Sequence, residues 1–300
     1  MIAADGRAEA GFGHLSRAGA VAAALTERGC DVVTCALGAE RDFERDVAWR
    51  AAGKLSDCPQ PRRGGALVVD GYACDASSAR AFAPDGVIVM FADDSARAAG
   101  ADLAISVAGS APGAARVLSG FRHACLRRAF WDLEPAPIAD KGSVLVSGGA
   151  TIAPLDVAQA ISQRNPSLRV RVVARRPTEH RTSVDVLVAP PSLFEPLLEA
   201  GLVVTAGGQT LLEALACGRP TIVLVLAENQ RAQAELAARA EAAVLVDPPE
   251  PRAVADAAAA LTADPQRQEH LASAARELVD GQGARRVADE VGALLVEAER

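Results

Sequence analysis

A histidine next to a glycine pair near the amino terminus is the first feature of this chain that could carry chemistry. The motif Gly11-Phe12-Gly13-His14 precedes a segment of helical period, so the imidazole is expected at a helix start. A helix start presents unpaired N–H groups that bind anions, and an imidazole titrates near neutral pH, as a general base requires. The alternative is that His14 caps the helix or packs locally.

Arg17 completes this motif as G-x-G-H-x-x-R. It stands where a dinucleotide-binding G-x-G-x-x-G loop has its third glycine, so the pattern argues against a nicotinamide site. Gly13 and Arg17 are predicted to contact the same substrate as His14.

Two further glycine loops follow predicted strands in the second half of the chain. One reads Ser147-Gly148-Gly149-Ala150-Thr151, and the other reads Ala206-Gly207-Gly208-Gln209-Thr210. Glycines followed by a threonine and a helix start can cradle a phosphate. The predicted substrate-binding residues of these loops are Gly148, Gly149, Gly207, Gly208 and Thr210.

Three polar residues close to the later loop are further substrate-binding candidates. Glu213 lies one turn inside the helix that follows it, where a carboxylate can accept hydrogen bonds from a ribose or serve only the helix dipole. Asn229 and Gln230 follow the next buried strand. Their amides can bind a ligand, or they can form a turn and a helix cap.

The elements that must position these residues alternate along the chain. Short, continuous apolar runs such as Gly86–Phe91 and Thr221–Leu226 are separated by segments of helical period such as Leu15–Arg28. Runs that are apolar on both faces suit parallel strands covered by helices. We therefore predict an α/β protein with doubly wound sheets, in which ligands bind at the carboxyl ends of the strands.

The proline-containing segment 133–142 (LEPAPIADKG) is the predicted linker between two such domains. We place an amino-terminal domain with the sugar-binding and catalytic residues at 1–135, and a carboxy-terminal nucleotide-binding domain at 143–300. Two doubly wound domains are expected to face each other across a cleft.

Composition excludes several classes of function. The net charge of −7 and an aromatic content of 3% disfavour binding to nucleic acid. No apolar run reaches the roughly 18 residues of a membrane helix and no secretory signal is visible, so a cytoplasmic location is expected. No His, Cys, Asp and Glu cluster has metal-ligand spacing, and we expect neither a metal nor a cofactor. Asp93-Asp94 is interpreted as a cap rather than a metal site.

Taken together, these loops resemble those of the two-domain GT-B nucleotide-sugar enzymes. The later motif is similar to that of the UDP-N-acetylglucosamine transferase of peptidoglycan synthesis. The whole set more closely resembles the UDP-sugar hydrolase of pseudaminic acid synthesis and its relative in spore-coat polysaccharide synthesis. Further matches are Ala4-Asp5-Gly6, Val69-Asp70-Gly71-Tyr72, Ala92-Asp93-Asp94 and the segment from Gly120 to Phe130. The resemblance differs at Ala3, His123 and Thr151, which stand where the family has arginine, tyrosine and aspartate.

The resemblance implies a UDP-sugar hydrolase that releases a free sugar, expected to be an amino sugar, and a nucleoside diphosphate by attack of water at the anomeric carbon. His14 would orient and deprotonate that water, and Tyr72 would hydrogen-bond the sugar or the water, unless it only packs at a strand end. Asp70 would contact substrate, unless it only caps a turn. The alternative is a GT-B glycosyltransferase in which an acceptor hydroxyl replaces water, and a third is a non-catalytic subunit that binds a nucleotide sugar.

Overall fold

The computed structural model describes residues 1–7, 13–93, 95–138, 140–148, 154–174, 184–298 and 300. These residues form two compact units. The first contains Met1–Trp131 and Gly281–Arg300, and the second contains Asp132–Asp280.

The described elements alternate between strand and helix along most of the chain. The strands are β1 (Ile2–Asp5), β2 (Thr34–Leu37), β3 (Phe43–Arg45), β4 (Val47–Ala52), β5 (Ala66–Asp70), β6 (Val87–Phe91), β7 (Leu103–Ser106), β8 (Arg116–Ser119), β9 (Ser143–Ser147), β10 (Arg169–Ala174), β11 (Asp185–Val188), β12 (Leu202–Ala206), β13 (Thr221–Leu224) and β14 (Val244–Val246). The helices are α1 (Gly13–Glu27), α2 (Ala76–Phe82), α3 (Pro154–Arg164), α4 (Phe194–Glu199), α5 (Gln209–Ala216), α6 (Glu228–Arg239), α7 (Pro251–Thr262), α8 (Pro265–Leu278) and α9 (Gly283–Ala298).

The first unit is built on a sheet with the order β3-β4-β2-β1-β5-β6-β7-β8. Its strands pair in parallel, except that β3 runs antiparallel to β4 at one edge. Successive residues of β1 face opposite cores: Ile2 packs on the side of α1 and α9, and Ala3 packs on the side of α2. The chain order reverses between β1 and β5, which makes this pair of strand ends the place where such folds bind ligands.

The second unit has a parallel sheet with the order β11-β10-β9-β12-β13-β14. This is the strand order of a dinucleotide-binding fold, and it reverses between β9 and β12. Those two strands lead into the predicted loops at Gly148 and Gly207. The prediction of two doubly wound α/β units is therefore confirmed.

The structure assigns the last helix to the first unit, whereas the sequence predicts that all of residues 143–300 lie in the carboxy-terminal domain. α9 belongs to the first unit, where Val287 and Val291 share a core cluster with Leu25 of α1. The guanidinium of Arg285 lies 4.9 Å from the centroid of the Trp131 indole, which strengthens the same attachment. The chain thus enters the second unit at Asp132 and returns to the first at Gly281.

Candidate functional site

The ends of β1 and β5 bring His14 and Asp70 together. His14 lies in the first turn of α1, the helix that follows β1, and Asp70 is the last residue of β5, which pairs with β1. Gly71 follows with a φ of +143°, and a Cβ there would lie 2.7 Å from the Cβ of Asp5 at the end of β1. Glycine at this position therefore allows the two strand ends to approach closely.

A short hydrogen bond joins the two side chains. Nδ1 of His14 lies 2.6 Å from Oδ1 of Asp70, and both side chains are buried. Because an ionised carboxylate can only accept, Nδ1 carries the proton and donates it to Asp70. The neutral ring then has its lone pair on Nε2, for which the described residues provide no hydrogen-bond partner. This tautomer is the one a general base requires.

Arg17 holds the same carboxylate from the next turn of α1. Its Nε donates to Oδ2 of Asp70 at 2.6 Å, and its Nη2 donates to Oδ1 at 2.7 Å. On its other side the guanidinium donates to Asp93, from Nη1 at 2.8 Å and from Nη2 at 2.5 Å. It also lies 4.9 Å from the centroid of the Phe91 ring. Arg17 is thus a bidentate partner of two carboxylates, a geometry that lysine cannot reproduce.

The role of Asp93 is one that the sequence interpretation missed. It was interpreted as a cap after β6, whereas its carboxylate is paired with Arg17. Nothing in the spacing links positions 17 and 93; only the order of strands β1, β5 and β6 in the sheet brings them together.

Charge compensation keeps the acidic and basic groups of this cluster ionised. Burial opposes ionisation of Asp93, but the charge and hydrogen bonds of Arg17 outweigh it and hold the pKa of Asp93 below its usual value. Burial likewise opposes the charge on Arg17, yet Asp70 and Asp93 raise the pKa of its guanidinium well above the usual value. At the end of β1, burial also disfavours the charge on Asp5, and hydrogen bonds from Arg7 lower the pKa of that carboxyl despite it.

Tyr72 borders the imidazole of His14. The two ring centroids are 5.2 Å apart with the planes at 88°, so the rings meet edge to face. Arg97 donates to the backbone oxygen of Tyr72, and its guanidinium lies 5.7 Å from the tyrosine ring. The structure thus places the ring of Tyr72 against the predicted base, and a role for its hydroxyl stays a prediction.

The Gly207-Gly208 loop of the second unit lies between the starts of α5 and α6. A Cβ on Gly207 would lie 2.8 Å from the backbone oxygen of Gln230, so glycine is needed for the close approach. The N–H of Gly207 donates to Leu224, and that of Gly208 donates to Ala206. The predicted cradle therefore differs in detail: the amides of Gly207 and Gly208 are already bonded within the turn. Thr210 lies half-buried in the first turn of α5.

A residue that the sequence did not single out supports this loop. Nε2 of Gln233, on α6, donates to the backbone oxygens of Gly207 at 3.1 Å and Gly208 at 3.0 Å. Its position one turn after Asn229-Gln230 is the only sequence signal that was available.

The remaining predicted residues of the second unit differ in burial and in the roles of their side chains. Glu213 is buried within α5, and Asn229 is exposed in the first turn of α6. Oε1 of Gln230 accepts from the backbone N–H of Leu226 at 3.2 Å, so this side chain stabilises the turn before α6, the alternative to ligand binding. Gly148 is buried directly after β9, while Gly149 and Thr151 lie outside the described residues, as do Gly11, Phe12 and Asp94.

Within 1–7, 13–93, 95–138, 140–148, 154–174, 184–298 and 300, no group of three or more His, Cys, Asp or Glu side chains is placed to hold a metal ion. Among the helices of that same part of the chain, none has the length and apolar character needed to span a bilayer.

Solved structures share the architecture of this chain. The spinosyn rhamnosyltransferase SpnG matches with a TM-score of 0.65 and 17% identity, over 100% of this chain and 99% of its own. MurG from Acinetobacter baumannii matches with a TM-score of 0.63 and 14% identity, over 98% of each chain. SsfS6, a glycosyltransferase of Streptomyces sp. SF2575 solved with thymidine diphosphate, matches with a TM-score of 0.62 and 15% identity, over 98% of each chain. The fold is that of the GT-B glycosyltransferases. No protein-family model and no curated protein matches the sequence.

Proposed function

We propose that this chain is a nucleotide-sugar enzyme in which His14 takes a proton from a hydroxyl nucleophile that attacks the anomeric carbon. The observation that carries the proposal is the 2.6 Å hydrogen bond between Nδ1 of His14 and Asp70. It fixes the lone pair of the ring on Nε2 and stabilises the imidazolium that forms as the proton arrives.

The proposed nucleophile is the hydroxyl of an acceptor molecule, which makes the reaction glycosyl transfer. The support is the set of solved structures with this fold, because SpnG and SsfS6 are glycosyltransferases. The acceptor oxygen forms a bond to the anomeric carbon, and the bond from that carbon to the diphosphate oxygen breaks. The nucleoside diphosphate leaves intact, and direct displacement inverts the anomeric centre.

The proposed donor is a nucleoside diphosphate sugar, with UDP favoured, held by the second unit. Support comes from the turn at Gly207-Gly208, which lies at the strand reversal between β9 and β12 and opens into α5. The first-turn amides of α5 and the helix dipole would balance part of the diphosphate charge. Glu213 within the same helix is the proposed partner of the ribose.

Water is the second candidate nucleophile, which would make the reaction hydrolysis. The specific observation in its favour is the resemblance of the Gly13-His14, Arg17, Asp70 and Tyr72 positions to the UDP-sugar hydrolase motifs. The same His14–Asp70 pair would then deprotonate water instead of an alcohol.

One experiment separates these functions. The purified protein is incubated with UDP-sugars and TDP-sugars, with and without a panel of acceptor alcohols, and nucleoside diphosphate release is followed. Release only with an acceptor supports transfer, and equal release without one supports hydrolysis. His14→Asn should lower either rate by about 10²–10⁴-fold. His270→Asn is the control because its ring is exposed and pairs with exposed Glu241. Equal rates for His14→Asn and the wild type would contradict the proposal.

A further inference from the structure

Four side chains at the strand ends of the first unit form a chain of charges. The sequence of contacts runs from His14 to Asp70, from Asp70 to Arg17 and from Arg17 to Asp93, with hydrogen bonds of 2.5–2.8 Å. With a neutral imidazole, the two carboxylates and one guanidinium carry a net charge of −1. When the imidazole gains a proton, the cluster becomes neutral.

Asp93 is the member that sets this balance. Without its charge, Arg17 would cancel the charge of Asp70, and the imidazolium would form beside a neutral ion pair. With Asp93 present, the guanidinium is shared between two carboxylates. The negative potential of Asp70 at the imidazole is then less cancelled by Arg17. Nη2 of Arg17 lies 2.5 Å from Oδ2 of Asp93 and 3.1 Å from Nδ1 of His14.

We propose that Asp93 is a positioning residue that sets the base strength of His14 through Arg17, an inference that rests on the proposed function of His14. It touches neither the imidazole nor, in this proposal, the substrate. It acts by keeping the net charge of the cluster at −1 until the imidazole takes up a proton.

Other charged and titratable groups also lie around the ring. At the end of β1, the carboxylate of Asp5 is paired with Arg7 and also interacts with the charge of a protonated His14. Beside Tyr72, Arg97 adds a positive charge. The thiol of Cys125, which lies within electrostatic reach of Asp70 and Arg17, has its pKa raised by burial and is neutral at physiological pH.

The test is a histidine titration by NMR on the full chain with isotope-labelled imidazoles. The resonance of His14 is assigned as the one lost in His14→Asn. In Asp93→Asn we expect the midpoint of that titration to fall by on the order of one pH unit, since both groups lie against Nη2 of Arg17. Asp93→Ser is a second neutral variant, and Asp93→Glu should restore the midpoint. The control is Asp85→Asn, which removes an exposed carboxylate of the same unit.

A kinetic measurement accompanies the titration. In Asp93→Asn the acidic limb of the kcat/KM profile should move to lower pH while the plateau rate falls, because a weaker base stays unprotonated longer and removes protons less well. A purely structural role would lower the rate without moving the limb. An unchanged imidazole midpoint in both neutral variants would overturn the inference. If the midpoint shifts but the wild type consumes no nucleotide sugar, the influence of Asp93 on His14 is supported and the proposed function fails.

Discussion

Replacing Asp70 by asparagine removes the group that orients His14 while changing the side-chain volume very little. The carboxylate accepts three bonds: Oδ1 accepts from Nδ1 of His14 and Nη2 of Arg17, and Oδ2 accepts from Nε of Arg17. An amide cannot satisfy this pattern in either orientation. With its NH₂ at the Oδ2 position, it points donors at Nε of Arg17. With its NH₂ at the Oδ1 position, it forces the proton of the imidazole onto Nε2, where the base needs a lone pair.

The expected loss in kcat for Asp70→Asn is about 10²–10⁴-fold, the full range for removal of a general base. The side chain of Asp70 is fully buried, and loss of a hydrogen bond to a charged group costs about 1.5–3 kcal/mol in unfolding free energy. Activity is therefore measured as nucleoside diphosphate release per folded molecule, with Tm recorded in parallel.

Asp102→Asn is the matched control for this variant. Asp102 accepts from Arg80 and from the N–H of Ile88. It directly precedes β7, so it lies at the amino ends of the strands, opposite to the site at their carboxyl ends. It should lower Tm and leave kcat within a few-fold of the wild type. If Asp70→Asn lowers Tm but keeps kcat within about tenfold of the wild type, His14 does not depend on Asp70 and the base assignment is refuted.

Three further predictions follow from the structure. Glu213→Ala should weaken UDP binding by about 1–3 kcal/mol if the carboxylate accepts hydrogen bonds from the ribose. An unchanged Kd in calorimetry would mean that Glu213 serves only the helix. Excess chelator should leave activity unchanged if α5 balances the diphosphate charge, and recovery only on adding Mg²⁺ or Mn²⁺ would contradict this. Because the pKa of Asp93 lies below its usual value, its ion pair stabilises the fold above about pH 4 and is lost as pH falls further, so the stability deficit of Asp93→Asn in urea unfolding should shrink at pH 3.

The sequence predicts the architecture because local pattern and global fold agree over most of the chain. Runs such as Gly86–Phe91 are apolar on both faces, and they form interior strands such as β6. β3 and β4 are missed, since Val47–Ala52 is only partly buried and its apolar residues are interrupted by Arg50. The helical period of 283–298 predicts α9 but says nothing about which sheet it covers, and that depends on long-range packing.

The candidate site divides in the same way. Glycines beside His14 and Arg17 mark a helix start, which is a local signal, and the structure places both side chains on one carboxylate. The pairing of Arg17 with Asp93 joins residues far apart in sequence and becomes visible only once the strand order is known. Gly207 and Gly208 look like anion-binding amides in sequence, but their N–H groups are used within the turn.

Isotope tracing tests the central claim, that His14 activates a hydroxyl nucleophile against the anomeric carbon. The reaction is run in oxygen-18 water with a nucleotide sugar, with and without acceptor, and both products are weighed. We predict that the released nucleoside diphosphate contains no solvent oxygen under either condition, because the bond between carbon and oxygen is the one that breaks. The sugar product should be inverted, and it should carry the label only if water is the nucleophile. Solvent oxygen in the nucleotide product would mean attack at phosphorus and would contradict the account.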